Sequence, residues 1–369
     1  MMKKLVWLMI LGISILSCVS EFTPEVEGVS GILVVDGTIT NGESIIKLSR
    51  SVGILDTLTG DEAVTNASMY VERSDGATFS AVHEGSGTYR IETGDLDPDL
   101  EYRLTFTING VEYQSSYLTP MQTAEIDSIS YSKADQGEPV IISVNTHATD
   151  DMSPYYRWGY EENWELKAQL FANHGFVNGV LTNYSLLSST NTYYCWGKDS
   201  SNVLLIGSTV DLSENTVKDM ELLEIPCSNE KLSILYHIQV SQMQIREEAY
   251  DYFRVMLDGI ERTGGLFNVV MSAGENGNVF NVEDPTEIVI GYVDVAETTT
   301  LGVYITNTET NFYEDPYDVC EIETAEDYTF SHYWVDYYEM TYSTEECVDC
   351  RKHYNASKNK PSWWPTDHL

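Results

Sequence analysis

Apolar and polar residues alternate in short runs along most of this chain, and turns bearing glycine, asparagine or aspartate separate the runs. Between residues 31 and 120 the pattern predicts strands over 32–39, 44–49, 68–73, 78–82, 87–92, 101–108 and 111–118. Leu104, Phe106 and Ile108 show the period of two that turns one face of a strand to a core. Asn109-Gly110, between the last two segments, tolerates the positive φ angles of a two-residue hairpin. Strands this short and this closely spaced predict an immunoglobulin-like β-sandwich over 31–120. The turn at residues 96–101 leads into Tyr102 as in a tyrosine corner, where the phenol hydroxyl bonds back to the turn.

A second β-rich domain is expected over residues 125–369, with strands at 126–131, 140–145, 155–170, 203–210, 232–243, 287–295 and 300–306. One stretch breaks the pattern. Ile245, Ala249, Phe253, Met256 and Ile260 recur at helical steps, which predicts one amphipathic helix over 245–260. The C-terminal tail is irregular and rich in rings, among them Tyr333, Trp334, Tyr337, Tyr338, Trp363 and Trp364. Two readings stay open for it: the rings pack the tail onto the second domain, or Trp334, Trp363 and Trp364 form a stacking platform for a sugar or peptide.

The first thirty residues belong to neither domain. Lys3 and Lys4 precede an apolar run over residues 5–16 and then Ser17-Cys18, the layout of a cleaved signal peptide over residues 1–17 rather than of a membrane span. With Ile15-Leu16-Ser17 before it, Cys18 resembles the acylated cysteine of a bacterial lipobox. Cys18 is then the lipidation site, residues 18–30 form a tether, and the chain beyond is extracytoplasmic and held to a lipid bilayer by its acyl anchor. The plainer alternative is an ordinary secretory signal with an incidental cysteine.

Charge narrows the partners. There are 20 basic and 58 acidic residues, a net charge of -38. Losing Lys3 and Lys4 with the signal leaves 18 basic residues and a net of -40. Such a chain repels phosphate backbones and anionic headgroups, so no nucleic acid is expected as a partner. The acidic clusters Asp95, Asp97, Asp99 and Glu314, Asp315, Asp318 raise calcium binding, but neither has the D-x-[DN]-x-[DN]-G spacing, and no metal or cofactor is expected.

Besides Cys18 the disulfide candidates are Cys195, Cys227, Cys320, Cys347 and Cys350, an odd set that leaves one thiol over. Cys347-Val348-Asp349-Cys350 lacks the second CxxC of a zinc site and reads as structural. Loop-closure entropy favours a stabilising Cys195–Cys227 bridge, with Cys320 free or joined to one member of the CxxC.

Catalytic patterns are missing: no H-E-x-x-H, G-x-S-x-G, P-loop or G-x-G-x-x-G occurs. Ser130…Lys133 and Ser228…Lys231 both fit S-x-x-K without its partner motifs. The protein is therefore read as non-catalytic, with no catalytic residues. A hydrolase is the alternative, because paired carboxylates need only the right separation in space.

Several local patterns then fit one family. They are Glu21-Phe22-Thr23-Pro24 behind the lipobox, Leu33-Val34-Val35-Asp36-Gly37, Tyr155-Tyr156-Arg157-Trp158 with Glu161 and Trp164, Cys195-Trp196, Gln242 and Tyr250, and Gly291-Tyr292. With the closing Cys347-Val348-Asp349-Cys350-Arg351 and Lys360-Pro361-Ser362-Trp363-Trp364, this ordered set resembles the Bacteroidota lipoprotein family called domain of unknown function 4249. His353-Tyr354-Asn355 stands where the family usually has glycines. The resemblance implies an outer-membrane lipoprotein, accessory or ligand-binding subunit of a TonB-dependent receptor in nutrient uptake. A structural envelope protein engaged only in protein contacts is the rival. Asp56-Thr57-Leu58 and Asp127-Ser128-Ile129 also resemble the O-glycosylation acceptor of that phylum.

Overall fold

The computed structural model describes residues 31–51, 62–132, 138–186, 191–263, 277–310, 312, 320–326 and 333–365. Strands make up 51% and helices 9%, which settles the chain as mainly β. The first strands are β1 (Leu33–Ile39), β2 (Gly42–Arg50), β3 (Glu62–Ala63), β4 (Ser68–Arg73), β5 (Thr78–Gly85), β6 (Thr88–Gly94), β7 (Tyr102–Ile108) and β8 (Val111–Ser115). Next come β9 (Ser128–Tyr131), β10 (Val140–His147), β11 (Tyr155–Lys167), β12 (His174–Val177), β13 (Val180–Asn183), β14 (Tyr194–Ser200), β15 (Leu205–Ser208), β16 (Thr216–Ile225) and β17 (Leu235–Gln244). Helix α1 (Glu247–Thr263) precedes β18 (Val279–Asn281), β19 (Val289–Ile290), β20 (Asp294–Val295) and β21 (Thr299–Thr306). The tail adds β22 (Glu323–Thr324), β23 (Tyr333–Asp336), β24 (Thr341–Ser343) and β25 (Ala356–Ser357).

The first eight strands do not form the expected sandwich of two facing sheets. They run as one mixed sheet in the order β18-β8-β7-β4-β5-β6-β2-β1-β19, curled into a nearly closed barrel. The expected boundary at residue 120 fails for the same reason, because β18, β19 and β20 return from beyond α1 to complete it, β19 and β20 lying parallel to β1. Asn278 joins the two ends of the sheet: its N–H donates to Gly291 O at 3.1 Å, its carbonyl accepts from Ser116 N–H, and its side chain both donates to and accepts from Val293. Gly291 is required there, since a Cβ would fall 2.6 Å from the Val35 carbonyl oxygen. Leu33, Val35, Ile46, Leu48, Val71, Tyr89, Ile91, Leu104 and Phe106 fill the interior. Asn109 and Gly110 take φ of 52° and 88° at the β7–β8 hairpin. The Tyr102 hydroxyl accepts from the Asp97 N–H at 2.8 Å, so the corner forms.

A two-sheet sandwich does exist, one region later. The sheet β16-β10-β9 packs on β21-β17-β11-β14-β25 around Val140, Ile142, Val144, Tyr156, Trp158, Trp164, Tyr236 and Ile238. Gly197 lies opposite Trp164 in the register of β11 and β14, and a Cβ there would reach 2.1 Å from the indole. Glycine makes room for the largest side chain of this core.

Helix α1 begins two residues after the expected start, with Ile245, Ala249 and Phe253 buried as the periodicity predicts. It wedges between the two units against Ile32, Ile290 and Tyr292 of the barrel. The corner before it is pinned by polar groups: Gln244 Oε1 accepts from Ala124 N–H at 2.7 Å, and Arg246 bonds the Asp294 carboxylate and the Thr119 carbonyl. Gln242 is fully buried, donating to Ala124 O and accepting from both Thr146 and Trp158. These bonds fix how barrel and sandwich meet.

Candidate functional site

A cleft of about 850 Å³ opens where barrel, sandwich and helix come together, inside the range of roughly 300–1,000 Å³ common for small-ligand sites. Strand alternation builds two of its walls. Leu48 and Ile46 of β2 point into the barrel, so Glu43, Ile45 and Lys47 point out, beside Asp36 of β1. Tyr156, Trp158 and Tyr160 of β11 point into the sandwich, so Arg157, Gly159 and Glu161 point out, with Ser241 and Met243 of β17 opposite them in register. Helix α1 closes the third side with Tyr252, Phe253 and Met256.

Arg157 organises this space. Its guanidinium lies 4.7 Å from the Phe253 ring centroid, and Nη2 stands 3.6 Å from Asp36 Oδ1 on the barrel wall. Asp36 is 63% exposed, so the pair is worth under about 1 kcal/mol and a ligand oxygen can take the carboxylate's place. Burial pushes the Tyr252 hydroxyl above the ordinary phenol range, and Asp36 adds to this while Arg157 opposes it. Tyr292 is pushed up to about 12 by burial, helped by Asp294 and Glu248. Both phenols stay neutral. The cleft thus combines one held cation, carboxylates, serine hydroxyls and an apolar wall. No histidine or cysteine lines it, and among the described residues no group of metal-ligating side chains gathers.

A second cluster lies inside the sandwich. Glu162, 3% exposed, accepts from Lys231 Nζ at 2.9 and 3.0 Å and from the Tyr236 hydroxyl at 2.8 Å. Lys231 also sits 4.7 Å from the Trp164 ring and 3.7 Å from Asp199. Burial first, then Glu162, pushes Tyr236 well above its ordinary range. The cluster faces the core, and the Glu162 carboxylate, the Lys231 ammonium and the Tyr236 hydroxyl satisfy one another within it. Lys231 of the Ser228…Lys231 pattern is thereby engaged by Glu162 and Asp199.

The structure corrects the expected Cys195–Cys227 bridge and bears out the link of Cys320 to one member of the CxxC. Cys195 bonds Cys350 across 155 residues, Cys320 bonds Cys347, and Cys227 is a buried free thiol. The reason is backbone docking: Cys350 N–H donates to Thr192 O at 2.8 Å and β25 pairs with β14, which brings the tail beside Cys195. Cys227 follows β16, in the facing sheet.

Two of the three candidate binding tryptophans are also corrected. Trp334 is fully buried, and Trp364 is 5% exposed with its Nε1 donating to Glu165 at 3.0 Å; both pack the tail. Trp363 remains half exposed. Of the acidic clusters, Asp97 caps its own turn by accepting from Asp99 N–H, while 314–318 lie outside the described residues. Ser128 is exposed where β9 begins; Asp56-Thr57-Leu58 and Cys18 lie outside the described residues. Sequence reasoning passed over Asp36, Arg157 and Phe253 as site residues. Only the outward position of Arg157 between buried aromatics marked it.

No curated protein matches the chain. The domain of unknown function 4249 matches residues 19–301, which takes in the barrel, helix, cleft and most of the sandwich and stops within β21, before the disulfide-bonded tail. The chain belongs to that family.

Proposed function

We propose that this protein is a lipid-anchored, non-catalytic component of the cell envelope that binds a ligand in the cleft between barrel and sandwich and serves a TonB-dependent outer-membrane receptor as an accessory subunit. The observation that carries the reading is the cleft itself, with Arg157 held over Phe253 and facing a displaceable carboxylate, and with no histidine or cysteine in its walls. Cys18 at the end of the apolar run supports the acyl anchor and an outer-membrane location, and the strong acidity agrees with a chain that meets the bilayer through that anchor alone.

Cys18→Ala tests the anchor: the variant leaves the membrane fraction as a folded soluble protein, and its retention there overturns the lipoprotein reading. Affinity purification from detergent-solubilised membranes tests the partner. A TonB-dependent receptor is recovered at a stoichiometric level with the full chain, and recovery of the chain alone removes the accessory role.

A further inference from the structure

The outer face of the β11–β17 sheet continues past the cleft. Asn163, six residues along β11 from Arg157 and so about 20 Å away, pairs with His237 of β17, whose neighbour across β21 is Tyr304. His237, Tyr304 and Trp363 gather here: the imidazole centroid is 4.5 Å from the Tyr304 ring and 4.9 Å from the Trp363 ring, and the two outer rings are 6.5 Å apart. Tyr304 is 39% and Trp363 49% exposed, whereas His237 is 8% exposed. Trp364 stands 5.6 Å behind Trp363 and is fastened by its bond to Glu165, which fixes the exposed ring in place.

His237 is not satisfied by the protein. Its Nδ1 is buried without a hydrogen-bond partner. Burial lowers its pKa, so the ring is neutral at pH 7 and carries one N–H. A buried donor left unbonded costs about 1–3 kcal/mol, which puts the proton on Nε2. That nitrogen borders Gly302, where a Cβ would come within 2.8 Å of it; glycine, itself exposed, leaves a notch beside the donor.

We propose that Trp363, Tyr304, His237 and Gly302 form a carbohydrate subsite, with the C–H face of a neutral pyranose on Trp363, the Tyr304 ring inclined 58° to it closing one side, and one hydroxyl accepting from His237 Nε2. Flat rings that are already immobilised give contact area at low entropic cost. The chemistry selects against other ligands. A neutral imidazole in a chain of net charge -38 offers nothing to an anion. This subsite is separate from the cleft and does not depend on it.

The test uses the full chain in a non-glycosidic detergent, titrated by tryptophan fluorescence and calorimetry with cellohexaose, xylohexaose, mannohexaose, a hexagalacturonate and tetramethylammonium. At least one neutral hexasaccharide binds saturably below about 1 mM. Trp363→Ala and Tyr304→Ala each weaken that binding at least about tenfold, as loss of a central aromatic contact does. Both side chains are partly exposed, so the variants keep their melting temperature, and Arg157→Ala binds the sugar as the parent does. Failure of every neutral hexasaccharide to bind, or binding of tetramethylammonium or hexagalacturonate alone, overturns the subsite. So does sugar binding that survives both aromatic substitutions or is lost on Arg157→Ala.

Discussion

The barrel and the sandwich with its tail hold together by different means. The barrel is a run of neighbouring pairs, antiparallel except where β19 and β20 join β1, with an apolar interior, and its closing strands follow most of the sandwich strands in the chain. The sandwich admits polar groups to its core, among them Glu162, Gln242 and Gln244; one disulfide, Cys195–Cys350, staples the tail to it, and a second, Cys320–Cys347, closes a loop within the tail. Alternation of side chains explains the first unit. The second depends on partners supplied from distant parts of the chain, so removing one partner there exposes a large cost.

The largest effect is expected at the long disulfide. Cys195–Cys350 closes 155 residues, and on the chain-entropy account such a loop stabilises by about 5 kcal/mol, against about 3–4 kcal/mol for the 27 residues spanned by Cys320–Cys347. Cys195→Ser with Cys350→Ser therefore lowers the denaturant midpoint more than Cys320→Ser with Cys347→Ser. Hydrogen exchange localises the loss to β11, β14 and the tail, with β4, β5 and β7 protected as before. Equal loss of protection in both units would show that they unfold as one and that the contrast drawn here is false.

That same bridge shows what the sequence could and could not disclose. Strands β1, β2 and β4–β8 were readable because alternation and Asn109-Gly110 are local signals, and α1 because its apolar positions recur on one face. The barrel's closure was not, since β19 and β20 are two residues each and gain their place from parallel pairing with β1, which leaves no periodic trace. β14 was passed over for a related reason: Gly197 reads as a strand breaker until Trp164 is seen to need the space. The Cys195–Cys227 pairing failed because loop size ranked the candidates, while backbone docking at Thr192 decides which thiol meets Cys195. Half of the cleft was likewise invisible. Arg157 can be placed on an outward face from β11 alone, but Asp36 and Phe253 become its neighbours only through the wedge made by α1.

The second effect sharpens the contrast within the sandwich core. Lys231→Met removes the cation that Glu162 was buried to meet and leaves that carboxylate, 3% exposed, with the Tyr236 hydroxyl alone. Breaking one side of a buried pair costs about 3–5 kcal/mol, and Lys231 being partly exposed puts this case near the lower figure. Replacing Glu162 by Gln in the same chain recovers part of the loss, because the neutral side chain no longer needs a cation. Urea titration of the single and double variants measures it, and a double variant no more stable than Lys231→Met would mean that packing of Lys231 on Trp164, not charge, is the stabilising contact.

The smallest effect concerns acid, and it singles out the tail. Burial works against ionisation of Asp349, yet the bonds it accepts from Arg351 outweigh this: Nε at 2.8 Å, the backbone N–H at 3.0 Å and Nη2 at 2.5 Å hold its carboxyl below the ordinary value. A carboxylate whose folded pKa is depressed contributes stability that is complete above its unfolded value, roughly 3.9, and is lost as pH falls through the lower folded value. Asp349 N-caps the 3₁₀ turn Cys350–Lys352, so its protonation loosens the segment that carries Cys350 and Arg351. Between about pH 4 and pH 2 the tail of the parent protein is therefore expected to lose exchange protection before the barrel does. In Asp349→Asn, which cannot ionise, the tail starts less protected at pH 7 and that acid step disappears. An acid step of undiminished size in the variant would assign the transition to another carboxylate and detach it from the C-terminal motif.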